Sequence, residues 1–153
     1  MCGIVGYLGD RQAFPILVNG LKRLEYRGYD SSGIALAQNG EIALYKKQGM
    51  VSAMEEHSLA HPTTGSTGIA HTRWATHGQP SDENAHPHLS NSGNLVVVHN
   101  GIIENYQALK DLLISKGFEF HSQTDTEVLV NFIQYVQDQE GCKLRKAVRL
   151  ALT

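Results

Sequence analysis

Apolar residues in the first part of the chain recur with two different periods. Residues 3–8 form a short apolar run, which predicts a buried strand. Residues 27–33 are rich in glycine and polar side chains, and we interpret them as a loop. Between these segments, residues 12–26 carry apolar side chains three and four positions apart, which predicts an amphipathic helix. The inner face of this helix holds Phe14, Leu17, Val18, Leu21 and Leu24.

A strong turn signal marks the next two elements. Asn39-Gly40 separates the strand-like runs 34–38 and 41–47, and this dipeptide predicts a two-residue hairpin. A further strand, 67–71, leads into polar residues 72–93, a loop of the length found in functional or disordered segments. The pattern also predicts strands at 94–99 and 118–121 and helices at 51–59, 105–116, 126–137 and 143–152. This order of elements favours a layered α+β fold.

The size and charge of the chain restrict its class. At 153 residues it has the length of one domain. The net charge is −2 and no basic run occurs, which argues against nucleic acid or an anionic membrane as a partner. No apolar run is long enough to span a bilayer, and no signal peptide precedes Cys2. Because Cys2 and Cys142 are too few for a disulfide framework, we expect a cytoplasmic protein.

Cys2 lies directly behind the initiator methionine. Removal of Met1 would place a thiol and a free α-amine on one residue. The pKa of an α-amine is about 8, so this group can accept a thiol proton at cellular pH. Cys2 would then supply both nucleophile and base. The competing interpretation is a small residue that begins an edge strand.

The segment after strand 67–71 carries a second candidate site. Arg73 has a planar fork of donors suited to a carboxylate, and Thr76 and His77 add further donors. Trp74 could close over a small ligand. For any one of these residues a solvated loop is an adequate explanation, but it explains the four together less well.

Asn100-Gly101 follows the predicted strand 94–99. The dipeptide has the composition of a hairpin turn, but residues 102–104 lead toward a helix. A side-chain amide beside a glycine N–H offers two convergent donors, which can stabilise an oxyanion. The residues alone leave both interpretations open.

Asp125 and the histidines have competing roles. Thr124 or Asp125 could cap the helix 126–137, and Asp125 could instead bind a substrate ammonium group. His77, His86 and His88 raise the possibility of a metal site, but their spacing matches neither a helical nor a ribbon-type motif. We therefore expect no metal and no other cofactor. A histidine paired with Cys2, as in thiol proteases, stays open as an alternative.

Several of these stretches together resemble one family. Residues 2–6, 24–31, 68–78, 97–105 and 124–127 are similar, in the same order, to motifs of the amino-terminal glutaminase domain of glutamine–fructose-6-phosphate aminotransferase. This domain is a class II, N-terminal-nucleophile amidotransferase. The resemblance implies a four-layer α/β/β/α sandwich with two antiparallel sheets, and a Cys2 that attacks the side-chain amide of L-glutamine.

The resemblance also implies roles for the other candidate residues. Asn100 and the Gly101 N–H would hold the oxyanion. The glutamine α-carboxylate would be bound by Arg73, Thr76 and His77, with Trp74 in the loop that closes over the substrate. Asp125 and Gly101 would bind the α-amine, and Arg27 and Gly28 would lie in the loop beside Cys2.

In the family, the ammonia is used by a sugar isomerase domain that converts fructose 6-phosphate to glucosamine 6-phosphate, and that domain is a possible site of homo-oligomerisation. The family's glutaminase domain is longer than residues 1–153, so we expect a chain truncated at its C-terminal end. Two alternatives stay open. One is the glutaminase domain of another class II enzyme, such as amidophosphoribosyltransferase. The other is a non-catalytic glutamine-binding module that retains Met1.

Overall fold

Two antiparallel sheets and five α-helices make up the part of the chain that the computed structural model describes, residues 1–62, 64–76 and 78–153. The strands are β1 (Gly3–Leu8), β2 (Ser31–Gln38), β3 (Glu41–Gln48), β4 (Thr67–Arg73), β5 (His88–Leu89) and β6 (Val96–Val97). The helices are α1 (Ala13–Leu24), α2 (Val51–Leu59), α3 (Tyr106–Ser115), α4 (Asp125–Glu140) and α5 (Leu144–Ala151). A 3₁₀ turn, Glu25–Arg27, follows α1.

The first sheet has the strand order β1-β4-β2-β3, and each neighbouring pair is antiparallel. Its register sets Gly3 opposite Thr72 and Ser31 opposite Arg73. The N-terminal end of β1 therefore lies beside the C-terminal end of β4. This pairing brings Cys2 next to the segment that begins at Arg73.

One face of the first sheet is covered by α1 and α2. The core between them is apolar, as expected from the helical spacing in residues 12–26. Leu17, Leu21 and Met54 are fully buried on the helices, and Ile34 and Leu36 are fully buried on β2. Leu24 and Phe14 are half-buried at the edges of this core.

The opposite face of the first sheet packs against the segment that leads into β5. A Cβ atom added to Gly33 would lie 2.2 Å from the carbonyl oxygen of His86, so only glycine permits this approach. Beyond this segment, β5 and β6 pair and pack against α4, and α3 and α5 flank that helix. The layers thus follow the order helices, sheet, sheet, helices. This confirms the α+β fold with two antiparallel sheets.

Three predicted elements differ from the structure in the sheets. Residues 31–33, predicted as loop, are buried and belong to β2. The predicted loop 72–93 contains the end of β4 and all of β5. The predicted strand 94–99 pairs only over Val96–Val97. Residues 31–33 and 72–73 are drawn into the sheet by partner strands distant in sequence, whereas β5 and β6 pair with each other over only two residues each.

The predicted strand 118–121 is wrong for a specific reason. The side chain of Asn91 donates to the carbonyl of Glu119 (2.8 Å) and accepts from its N–H (2.7 Å). Glu127 accepts from the N–H of His121 (2.8 Å). These side chains thus bind the N–H and C=O groups that would otherwise need a neighbouring strand, and no strand forms. Leu112 lies on the exposed side of α3, whereas Leu113 is buried.

The helices over residues 51–59, 106–115, 125–140 and 144–151 agree with the predictions to within a few residues. The hairpin at Asn39-Gly40 also forms, and Gln38 pairs with Glu41. No helix in the described ranges is both long and apolar enough to cross a membrane.

Candidate active site

A cleft of about 440 Å³ opens at the N-terminal end of β1 and the C-terminal end of β4. It collects residues that the sequence placed in five separate motifs. Those that line it are Cys2, Arg27, Arg73, Trp74, Thr76, Asn100, Gly101 and Asp125. Gly28 is not among the lining residues, but a Cβ atom added to it would lie 3.4 Å from the Trp74 ring. His77 lies outside the described residues.

Cys2 is held at the start of β1 by contacts on both sides. Its Sγ accepts a hydrogen bond from the backbone N–H of Trp74 (3.1 Å). Its carbonyl oxygen accepts one from Asn100 Nδ2 (3.4 Å). The next residue, Gly3, donates its N–H to Thr72 Oγ1 (3.1 Å). An N–H aimed at the sulfur is placed to stabilise negative charge on it.

Met1 bridges Cys2 and the loop after α1. Its α-ammonium group donates to the carbonyl oxygens of Arg27 (3.1 Å) and Gly28 (3.2 Å). Arg27 Nη2 lies 2.6 Å from the Met1 sulfur. With Met1 in place, the nitrogen of Cys2 is a peptide nitrogen and cannot act as a base. The loop Arg27-Gly28 does lie beside Cys2, as the resemblance implies.

Arg73 is the last residue of β4, and only 3 % of it is exposed. Its Nη2 donates to the carbonyl of Gly78 (3.4 Å). Burial lowers the pKa of Arg73, while the nearby carboxylates of Asp30 and Asp125 act in the opposite direction. A guanidinium nevertheless stays charged at cellular pH. Arg73 thus brings a fixed positive charge to the cleft.

Asp30 supports the segment that carries Arg73 and Trp74, and we did not predict this role. Its Oδ2 accepts the N–H of Ala75 (2.5 Å), and its own N–H donates to the carbonyl of Arg73 (2.8 Å). Asp30 lies in the polar stretch 27–33 that we noted, but no local signal shows which distant loop it would hold.

Asp125 is buried at the start of α4 but does not cap it. The cap is Thr124, whose side chain accepts from the N–H of Glu127 (3.4 Å). Asp125 Oδ2 accepts the N–H of Ile103 (2.7 Å), so it holds the segment after Asn100-Gly101. The capping interpretation of Asp125 is therefore wrong. Its carboxylate is the negative charge that faces Arg73 across the cleft.

Asn100 and Gly101 turn the chain from β6 toward α3 and do not form a hairpin. Asn100 Oδ1 lies 2.8 Å from Nε2 of His71, and its Nδ2 points toward Cys2. A Cβ atom on Gly101 would lie 2.7 Å from the His99 ring, so a side chain there would require a shift of that ring. The Asn100 amide is thus adjacent to Cys2, and Gly101 lines the same cleft.

Three buried histidines behind the cleft were not predicted as a unit. The rings of His71 and His86 stack with centroids 4.4 Å apart, and those of His86 and His88 meet edge to face at 4.7 Å. His88 Nε2 then contacts Thr124 Oγ1 at 2.9 Å. We call His71, His86 and His88 the histidine column. It links Asn100 to the start of α4.

Burial sets the charge state of this column. It lowers the pKa of His71 to about 4, and it lowers those of His86 and His88 well below their ordinary range. The three rings are therefore neutral at neutral pH. Among the described residues, no group of histidines, cysteines and carboxylates has the geometry of a metal site. Of the three histidines considered above as metal ligands, His77, His86 and His88, His77 lies outside the described residues.

Comparison with known proteins identifies the family. Residues 55–145 match the family model described as "Glutamine amidotransferase domain", which covers more than half of the chain. The chain belongs to this glutamine amidotransferase family. The finding confirms the resemblance drawn from the motifs around Cys2, Arg73 and Asn100.

Two curated relatives of this amidotransferase share one name. Glutamine–fructose-6-phosphate aminotransferase [isomerizing] of Bacteroides thetaiotaomicron is 56% identical over 153 residues, which are 99% of this chain and 25% of that protein. The enzyme of the same name from Chlorobaculum tepidum is 56% identical over 156 residues, again 99% of this chain and 25% of the relative. The chain thus spans about a quarter of the length of these relatives.

Solved structures share the fold at lower identity. The glutamine phosphoribosylpyrophosphate amidotransferase of B. subtilis, complexed with ADP and GMP, superposes with a TM-score of 0.80 at 28% identity. The structure titled as the allosteric regulatory enzyme of purine biosynthesis gives 0.82 at 28% identity. Both comparisons cover 99% of this chain and 32% of the solved chain. The higher identity of the fructose-6-phosphate enzymes favours that branch of the family over the phosphoribosyl branch.

Proposed function

We propose that residues 1–153 are a glutaminase domain that hydrolyses L-glutamine to L-glutamate and ammonia. The observation that carries the proposal is the position of Cys2 in the cleft, with the Trp74 N–H on its sulfur and the Asn100 amide on its carbonyl. A positive charge, Arg73, and a negative charge, Asp125, line the same cleft as this thiol. A free amino acid carries the complementary pair.

Substrate binding uses these two charges. The Arg73 guanidinium binds the glutamine α-carboxylate, with donors from Thr76 and His77, and Asp125 with the Gly101 backbone binds the α-ammonium group. The side-chain amide of glutamine then extends toward Cys2. Trp74, which is 54 % exposed at the mouth of the cleft, covers the bound substrate.

Chemistry requires that Met1 be removed. The α-amine of Cys2 then accepts the thiol proton, and Sγ attacks the amide carbon of glutamine. The negative charge that develops on the amide oxygen is stabilised by Asn100 Nδ2 and the Gly101 N–H. The α-ammonium returns its proton to the leaving nitrogen, and ammonia departs. Water then attacks the Cys2 thioester, which releases glutamate and restores the thiol.

We further propose that this domain belongs to a cytoplasmic glutamine–fructose-6-phosphate aminotransferase. The support is the 56% identity to enzymes of that name, which are about four times as long as this chain. Fructose 6-phosphate would be the acceptor of ammonia in a sugar isomerase domain, and contacts between such domains would set any homo-oligomer. No cofactor is needed for the hydrolysis as written.

The test of the glutaminase is glutamate release from L-glutamine by the purified protein, with its mass measured in parallel. We expect turnover from protein that has lost one methionine. Cys2→Ala should abolish turnover but leave glutamine binding, because binding uses Arg73 and Asp125. The matched control is Cys142→Ala, since Cys142 lies half-buried in the small core around α5 and should not affect turnover. Turnover by Cys2→Ala would remove Cys2 as the nucleophile.

The acceptor is tested with a chimera. The chain replaces the aligned segment of the Bacteroides thetaiotaomicron enzyme, and glucosamine 6-phosphate is measured with glutamine as the nitrogen source. Product formation that stops with Cys2→Ala supports the assignment. A chimera that hydrolyses glutamine and makes no aminosugar would favour the phosphoribosyl branch.

A further inference from the structure

The side-chain amide of Asn100 has one contact at each end. Oδ1 lies 2.8 Å from Nε2 of His71, and Nδ2 lies 3.4 Å from the carbonyl oxygen of Cys2. The two ends of an amide have nearly the same shape, so hydrogen bonds decide which end points where. Only the nitrogen end can donate to an oxyanion. The orientation of the Asn100 amide therefore determines whether the cleft can stabilise an oxyanion.

The proton position on His71 decides between the two orientations. Oδ1 can only accept, so its contact with His71 is a hydrogen bond when Nε2 carries the proton. In the other neutral tautomer, Nε2 is an acceptor and would attract the nitrogen end of Asn100. The amide would then turn its oxygen toward Cys2, where it would repel a developing negative charge.

The surroundings of His71 hold the ring in place and keep it neutral. The ring is fully buried at the end of β4 and stacks on His86 with an interplanar angle of 18°. Burial lowers its pKa to about 4, although the hydrogen bond to Asn100 and the His99 backbone act in the opposite direction. A neutral imidazole has a single N–H, so it can impose one direction on the amide.

We propose that His71 is a positioning residue for hydrolysis: its Nε2–H binds Asn100 Oδ1 and thereby points Asn100 Nδ2 at the oxyanion. The inference rests on the proposed function, since the oxyanion forms only if the chain hydrolyses glutamine. His71 itself acts through Asn100 and does not react.

A purely structural histidine predicts different behaviour. A role in packing would lower stability on substitution and would not depend on Asn100. A positioning role predicts a loss of kcat with little change in KM, because the oxyanion exists only after substrate is bound. It also predicts that the loss disappears once the Asn100 amide is gone.

Two substitutions separate these roles. Gln can place a side-chain N–H where Nε2 of histidine lies, whereas Asn is too short to reach that position. We expect His71→Asn to lower kcat on the order of 10²-fold, with KM for glutamine within about 3-fold of wild type. His71→Gln should recover most of this loss. In protein that lacks Met1, His71→Asn/Asn100→Ala should be no slower than Asn100→Ala alone, within about 3-fold.

A measurement on the unmodified protein covers the case in which His71→Asn does not fold. Histidine labelled with ¹⁵N reports the tautomer of each ring, and we expect the proton of His71 on Nε2. The proposal is overturned if the proton of His71 is on Nδ1. It is also overturned if the kcat losses of His71→Asn and Asn100→Ala multiply in the double variant.

The outcomes also distinguish a failure of the proposed function from a failure of the positioning role of His71. If wild-type protein without Met1 hydrolyses no glutamine, the proposed function fails and the oxyanion role of Asn100 fails with it. If wild type is active but His71→Asn keeps its kcat, or loses activity through KM alone, only the positioning role fails.

Discussion

The two faces of the first sheet are buried in different ways. On the side of α1 and α2, the buried side chains are almost all apolar and include Leu17, Leu21 and Met54. On the side of the cleft and α4, many are polar, among them His71, Arg73, Asn84, His86, His88, Thr124, Asp125, Glu127 and Asn131. We call these the apolar layer and the polar layer. The same sheet separates them.

The difference shows how stability and function are divided. Apolar burial is non-directional, so the apolar layer needs volume and packing but no particular partner. In the polar layer each group needs a matched partner, because a buried polar group without one costs about 1–3 kcal/mol. Asn84 illustrates this: it donates to the carbonyl of Gln79 (2.8 Å) and accepts from the N–H of Gln123 (2.8 Å). Substitutions in the two layers should therefore fail in different ways.

The largest effect should come from a change in the substrate, which contacts only the polar layer. Glutamine that is N-acetylated and C-amidated offers no charge to Arg73 or Asp125, and covering buried charges without a counter-charge costs several kcal/mol. We expect ammonia release to fall on the order of 10³-fold relative to free glutamine at equal concentration. A thiol protease would prefer the capped substrate. Comparable rates would show that Arg73 and Asp125 do not form the substrate clamp.

Asn100→Ala should separate activity from stability within the polar layer. Asn100 is exposed to the cleft, so its loss leaves no buried cavity, and water in the cleft can replace its contact with Nε2 of His71. Because an oxyanion donor acts mainly in the transition state, kcat should fall roughly 10²- to 10³-fold with KM little changed and Tm within a few degrees of wild type. Steady-state kinetics and thermal melting check both parts. A rise in KM at constant kcat would make Asn100 a binding or turn residue.

Leu17→Ala should show the opposite pattern in the apolar layer. Leu17 is fully buried against the first sheet, so its truncation leaves a cavity and should cost about 2–5 kcal/mol of unfolding free energy. The turnover of the folded fraction should stay close to wild type, since no cleft residue touches this cavity. Denaturant unfolding with kinetics below the transition gives both quantities. Leu112→Ala, at a site 38 % exposed, is the control and should cost much less.

Acid should weaken the polar layer before it affects the apolar one. The folded pKa of His71 is about 4, below its ordinary value of 6.5, so the unfolded chain binds more protons in this range. The contribution of the neutral His71 ring to the unfolding free energy is fully present above pH 6.5. It is lost as the pH falls toward 4, by about 3 kcal/mol for His71 alone. His86 and His88 act in the same direction. Unfolding free energies at pH 7, 6 and 5 test this, with His88→Gln expected to show a shallower slope.

Local sequence determined much of the scaffold. The apolar spacing in residues 12–26 and 126–137 is visible within a few turns of helix, and both segments form helices. Asn39-Gly40 turns the chain without help from distant residues, because both residues tolerate positive φ. The position of Cys2 behind Met1, and the motifs around Arg73 and Asn100, were sufficient to indicate the family. These features depend on neighbours in sequence.

The tertiary structure decided how these segments meet. Nothing local shows that Asp30 would hold the N–H of Ala75, that Asn91 would replace a strand beside Glu119, or that Asp125 would hold the N–H of Ile103. The histidine column joins residues from β4, from the segment before β5 and from β5 itself, and its low pKa values arise from burial between layers. Partners and desolvation are properties of the packed molecule. For that reason the sequence supplied the candidate residues, while the fold alone determined which of them face one another.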